Sequence, residues 1–224
     1  MILKRLKYKR MISAGMLISI LLLSSTGAWA VNKSSKKNKG KKVVLFEDGW
    51  QELKPVEGES QTGNFSPVSL QGEPEQADNK KWNAGWGNWS VTGVDGESKR
   101  GVIMVPNRME NDDYLVSTEI ELKNCKKAEL LVEAYSKYGT DNVNELKVLI
   151  SANYNGDVET AQWDELWMES IHKQKQAVER KISLKKYLGK NVVIAFRSVQ
   201  SGKSVKNMTR TTFLSKVNVT AVCK

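Results

Sequence analysis

Along most of this chain apolar and polar residues alternate in steps of two. Leu130, Val132 and Ala134 interleave with Leu131, Glu133 and Tyr135; Leu146, Val148 and Ile150 repeat the pattern, as do Val217, Val219 and Ala221 near the end. Successive side chains of a strand point to opposite faces, so this alternation marks a sheet with one face on a core and one facing outward. Short apolar segments of strand length lie at 43–46, 102–105, 114–117, 128–135, 145–151, 182–184, 192–196 and 213–222. β-branched residues are dense within them, while Gly, Asn and Asp collect between them. Many short strands with long connections predict an all-β chain, folded as a two-sheet antiparallel β-sandwich.

Two stretches break the pattern. Residues 52–81 are rich in Gly, Pro, Gln, Glu and Ser, which predicts a long loop or irregular excursion. Residues 166–180 read either as a short helix or as a hairpin connection, because their apolar spacing is poor.

The N-terminus has a different character. Lys4, Arg5, Lys7, Lys9 and Arg10 precede an uncharged run at 11–23, followed by small residues and the exit Ala28-Trp29-Ala30. This is the layout of a secretory signal peptide over 1–30, cleaved after Ala30. The apolar run is shorter than the roughly 20 residues that cross a bilayer as a helix; an uncleaved anchor is the alternative. The product is expected outside the cytoplasm, in the periplasm, at the cell surface or secreted.

The formal charge of +10 changes meaning once it is located. Five cationic residues lie within 1–30 and six lysines, at 33, 36, 37, 39, 41 and 42, fill the next stretch, with no acid in either. Residues 43–224 therefore carry a net charge of −1. A fold built to track nucleic acid keeps its cations on the folded body, so nucleic acid is excluded as a partner. The tract 31–42 cannot bury apolar surface and is expected to be a disordered linker. It is either a plain spacer or a loose contact to anionic lipid or polysaccharide, weakened by salt. Residues 43–224 make up the sandwich domain.

Cys125 and Cys223 are the two cysteines. In an exported chain they either form one disulfide or stand as separate buried thiols.

The order of segments resembles a family. Phe46-Glu47-Asp48-Gly49-Trp50 opens the domain, and Lys81-Trp82-Asn83-Ala84-Gly85-Trp86-Gly87-Asn88-Trp89 follows. Next come Asp113-Tyr114-Leu115-Val116-Ser117 and Ala128-Glu129-Leu130-Leu131-Val132. Leu146-Lys147-Val148-Leu149-Ile150-Ser151-Ala152-Asn153-Tyr154-Asn155-Gly156-Asp157 holds the middle, with Trp163-Asp164-Glu165-Leu166 behind it, then Val192-Val193-Ile194-Ala195-Phe196-Arg197 before the final strand. This ordered series, over 43–222, is similar to the choice-of-anchor J and cleaved-adhesin domains of secreted Bacteroidota proteins. The resemblance implies a jelly-roll sandwich like that of galactose-binding, carbohydrate-binding and MAM modules, used for surface binding or adhesion rather than catalysis. Some relatives bind a structural calcium through an acid near the first strand and an aspartate in the last. Glu47 matches the first position, and Ser215 stands where the family often has the aspartate.

Trp82, Trp86 and Trp89 are the candidate ligand-binding residues. Pyranose rings present apolar, slightly positive C–H faces that suit the negative face of an indole; the alternative is that the rings pack into the core. Glu47, Asp48, Asn153, Asn155 and Asp157, together with Asp141, Asn142 and Asn144, are oxygen donors of the kind calcium takes. Asn and Asp are equally ordinary turn formers. No catalytic residue stands out: His172 is the single histidine, in a polar Lys/Gln-rich stretch without a nucleophile motif. The expected function is a non-catalytic extracytoplasmic module that recognises glycan or another cell-surface ligand. A structural or assembly component of the envelope, working by protein contact, is the alternative, and a carbohydrate-active enzyme the third reading.

Overall fold

The computed structural model describes residues 40–53, 62–71, 85–105, 111–137, 144–169, 177–200 and 211–224. All fall within the compact unit Lys39–Lys224. The signal segment, most of the lysine tract, Trp82, Asp141, Asn142 and His172 lie outside the described residues.

The strands are β1 (Lys42–Glu47), β2 (Phe65–Gln71), β3 (Gly85–Thr92), β4 (Ser98–Val105), β5 (Asn111–Ser117), β6 (Ile120–Glu121), β7 (Cys125–Lys137), β8 (Asn144–Ser151), β9 (Asp164–Glu169), β10 (Val178–Ser183), β11 (Asn191–Gln200) and β12 (Thr211–Cys223). Short 3₁₀ turns lie at Trp50–Glu52 and Lys185–Tyr187. One sheet has the order β10-β7-β12-β4-β3, with β1 also on β12; the other is β2-β5-β11-β8-β9, with β6 also on β11. The pairings are antiparallel. Hairpins β3–β4 and β8–β9 stay within a sheet, as do β5 and β6, whereas every other step from one strand to the next crosses between the sheets. Among the described residues no helix is long and apolar enough to cross a membrane.

The period-two pattern explains the layers. Leu130, Val132 and Ala134 of β7, with Leu214, Val217 and Val219 of β12, face Leu146, Val148 and Ile150 of β8 and Val192, Ile194 and Phe196 of β11 in one buried cluster. Each of the larger side chains contributes about 1.5–3 kcal/mol when buried, and the two inward rows hold the sheets together. Phe46, Trp50 and Phe196 gather around Phe65 in this core, with their ring centroids 5.2 to 5.9 Å from its own. Trp50 is fully buried, and its indole N–H donates to the Thr62 carbonyl at 3.0 Å. The all-β sandwich expected from the alternation is the observed fold.

β12 changes neighbour part-way along. Thr212–Leu214 pair with β4, then a register shift between Leu214 and Lys216 hands the same edge to β1 at Asn218. At the handover Asp48 Oδ2 accepts the Val217 N–H at 2.8 Å, and Asp48 Oδ1 accepts the Trp50 N–H at 2.9 Å. The carboxylate thus stands in for a missing strand carbonyl. On the β4 side the backbone comes close: a Cβ at Gly101 would run into the Leu214 carbonyl oxygen, so only glycine fits there.

Three strands fall where other structure was expected. β2 lies inside the supposed long loop at 52–81, β3 overlaps the glycine-rich stretch, and β9 runs into the start of the supposed helix or hairpin connection at 166–180. β9 and β10 belong to different sheets, so what joins them is a crossing and not a hairpin. All three strands end their sheets. An edge strand buries less apolar surface and tolerates Pro and Gly, as Pro67 in β2 and Gly87 in β3 illustrate.

Candidate binding site

The expected tryptophan platform does not survive at Trp86. Residues 86 and 89 both sit in β3, and an odd separation of three sends their side chains to opposite faces. Trp86 faces the core, is 5% exposed, and its indole N–H donates to the Asp113 carbonyl at 3.5 Å. Trp89 is half-buried against a separate outward cluster of Val91, Ile103, Tyr135, Ala177 and Phe213. The two rings cannot present a common plane to a sugar.

Asp48, Asn153, Asn155 and Asp157, among the oxygen donors proposed for calcium, accept backbone N–H groups. Both Asp48 oxygens accept backbone N–H groups, as described above. Glu47 is exposed, and its main-chain carbonyl accepts the Asn64 amide at 2.8 Å. Asn155 Oδ1 accepts the Asp157 N–H and Asp157 Oδ1 the Glu159 N–H, at 3.2 and 2.9 Å, which are turn-forming bonds. Among the described residues no three His, Cys, Asp or Glu side chains gather as a metal site. Ser215 is 1% exposed in the β12 bulge, and its hydroxyl lies 3.2 Å from Glu133 Oε2, which also takes the Lys99 ammonium at 2.9 Å. A carboxylate at 215 would face that of Glu133, so serine suits this neighbourhood.

Cys125 and Cys223, opposite each other at the end of the β7–β12 ladder, are joined as a disulfide.

Chemistry collects on a face that the sequence reading touched only through Asn153, Asn155 and Asp157, as oxygen donors. The outward positions of the central strands of the second sheet are themselves apolar: Tyr114 and Val116 of β5, Val193 and Ala195 of β11, and Leu149 of β8 form their own buried cluster. The loop 152–163 covers it. Asn153 closes that loop by accepting the Gln162 N–H at 3.0 Å across nine residues, while its Oδ1 also takes the Ser151 hydroxyl at 2.8 Å. The Trp163 indole N–H donates to the Val158 carbonyl at 2.9 Å. The loop is therefore cross-tied from within, in the manner of a compact surface loop whose ends meet.

Two half-buried rings, Tyr154 and Trp163, sit on this loop with centroids 5.7 Å apart, and Trp163 lies 6.2 Å from Tyr114. Strand register puts Val68, Tyr114, Arg197 and Lys147 in one row across four neighbouring strands. The Arg197 guanidinium lies 5.1 Å from the Tyr114 ring centroid and grips Asp112 with two parallel bonds, one of them 2.7 Å. Lys147 reaches Glu165 at 3.9 Å. Burial pushes the Tyr114 hydroxyl above its usual range, and the positive charge of Arg197 opposes that shift. Ring faces next to planar, bidentate charged groups can stack a pyranose and hydrogen-bond its hydroxyls together.

The chain carried a signal for this site that spacing arguments passed over. Val192–Phe196 is apolar at every position, which marks a strand covered on both faces. Something must cover the outer face, and an earlier loop carrying Tyr154 and Trp163 supplies it.

No protein-family model matches the chain, and no curated protein matches it. Among solved structures it is similar to the K1 cleaved adhesin domain of Lys-gingipain from Porphyromonas gingivalis W83, with 15% identity and a TM-score of 0.49 over 83% of this chain and 99% of that one. A structure described for the carbohydrate-binding modules of the beta-sandwich superfamily is similar at 12% identity and a TM-score of 0.45, covering 71% of this chain and 58% of that one. The glycoside hydrolase domain of Endo-D from Streptococcus pneumoniae R6 is similar at 14% and 0.43, over 69% of this chain and 21% of that one. At these identities no family membership follows.

Proposed function

We propose that this chain is an exported, non-catalytic module that binds a neutral glycan on the outward face of its second sheet. The observation that carries the reading is the pair of half-buried rings, Tyr154 and Trp163, fixed on a cross-tied loop beside the Tyr114–Arg197–Asp112 row. Rigid rings lose little freedom when a sugar stacks on them, so more of the contact energy appears as affinity. Catalysis is disfavoured by what the carboxylates do. A glycosidase sets one carboxyl to donate a proton and another to attack or activate water, about 5–10 Å apart. On this face Asp112 is held by Arg197 and Glu165 by Lys147. Among the described residues, the two carboxyls that burial pushes up, Asp48 and Asp113, are inside the fold and hydrogen-bonded.

A glycan array probed with the purified chain tests this. We expect hits among neutral polymers that weaken at least tenfold in Trp163→Ala and in Tyr154→Ala, with an unchanged far-ultraviolet spectrum. An array without neutral hits, or hits indifferent to both substitutions, overturns the reading. Export is part of the proposal: mass spectrometry of the secreted product should find Val31 at its N-terminus.

A further inference from the structure

The net charge of the folded part hides a local concentration of one sign. A recess of about 490 Å³ lies at the end of the first sheet where β1 starts and β12 finishes, and Lys42, Lys126, Lys127 and Lys185 line it against a single acid, Glu129. The register explains the convergence. Lys42 of β1 and Lys127 of β7 are both opposite Val222 of β12, so they flank one residue from either side, roughly 9.5 Å apart. Lys126 follows from the disulfide at Cys125, and Lys185 comes from the 3₁₀ turn after β10. All four are exposed, and none pairs with a carboxylate among the described residues. The neighbouring Lys186 differs, because Asp164 holds it at 2.9 Å.

We infer that this recess binds an acidic polysaccharide, a chain of pyranose rings bearing carboxylates. Four ammonium groups around one hollow, without a carboxylate partner among the described residues, repel one another and leave a positive field, which an anion relieves. Ammonium groups are compact point charges on flexible stems, suited to carboxylates spread along a polymer; the recess lacks the arginine fork that fits a single phosphate. Leu188, Ala128, Ala221 and Val222 supply apolar surface for the C–H faces of sugar rings. The volume lies in the range of small-ligand pockets, about 300–1,000 Å³. A bilayer meets a flat or convex surface, not a hollow, and no aromatic side chain lines the recess to stack a nucleobase. The site lies apart from the Tyr154–Trp163 loop, and the proposal stands independently of the neutral glycan.

The test is binding of the full chain to immobilised polygalacturonate, with dextran, single-stranded DNA and phosphatidylglycerol vesicles as comparison surfaces. We expect saturable binding to polygalacturonate that weakens with added salt and falls at least tenfold in Lys127→Ser/Lys185→Ser. The control Arg100→Ser/Lys216→Ser removes the same charge elsewhere and should change affinity less than twofold. Equal losses in the two double variants, equal binding to DNA or vesicles, or no binding to polygalacturonate would overturn the inference. Trp163→Ala should leave polygalacturonate binding intact, which separates failure here from failure of the neutral-glycan reading.

Discussion

The carboxylate of Asp48 accepts the backbone N–H of Val217 at 2.8 Å across 169 residues of sequence. The bond closes the gap where β12 has left β4 and has not yet met β1, and it ties the first strand of the sandwich to the last. Removing the carboxylate leaves the Val217 and Trp50 N–H groups buried without acceptors. At about 1–3 kcal/mol for each unsatisfied group, Asp48→Ala should lose about 2–6 kcal/mol of stability in urea denaturation. Asp48→Asn keeps one acceptor and should lose less. An alanine variant within 1 kcal/mol of wild type would show that the bond does not hold the handover.

Trp86 belongs to the core, so its removal should act on folding. Trp86→Ala is expected to cost about 3–5 kcal/mol, the range for deleting a large buried aromatic. Thermal unfolding by circular dichroism checks it. A variant with wild-type stability and lost sugar binding would return Trp86 to the ligand site.

Asp113 gives the fold a pH signature of definite sign. Burial pushes its carboxyl above the usual aspartate range, against the opposing hydrogen bonds from Ser69 and Asn111. The native state therefore holds the proton more tightly than the unfolded chain does. Stability from this group is full below the unfolded value, near pH 4, and is lost as pH rises through the folded one. Asp113→Asn has no such loss. The melting temperature of the variant relative to wild type should be more favourable at pH 7 than at pH 3; a difference that does not vary with pH contradicts the assignment.

The Cys125–Cys223 bridge closes a loop with a sequence separation of 98. A native disulfide of this span contributes about 2–5 kcal/mol. Cys125→Ser/Cys223→Ser should lower the denaturation midpoint by a corresponding amount. No change would mean that the β7–β12 ladder holds that end unaided.

Period-two alternation and short apolar runs revealed the central strands that bury a full row of side chains, and also β1 and β10 at the edges. They passed over β2, β3 and β9 because an edge strand keeps one backbone edge and much of its surface in water, so Pro67 or Gly87 does it little harm. The tryptophan reading failed for a geometric reason. On a loop, Trp86 and Trp89 could share a face; on a strand their parity forbids it. The same parity, applied to Tyr114, Ala195 and Arg197, exposes the outward row that the proposed site uses. Contacts such as Asp48 to Val217 or Arg197 to Asp112 join residues far apart in sequence, and no local pattern announces them.

Amide chemical-shift mapping tests the proposed ligand face most directly. A neutral oligosaccharide identified on the array is titrated into the isotope-labelled chain. Shifts should concentrate in the loop 152–163 and at Asp112, Tyr114, Lys147 and Arg197, with the inward rows of both sheets unmoved. Shifts centred on β3 or the β1–β12 handover, with the loop silent, would contradict the account.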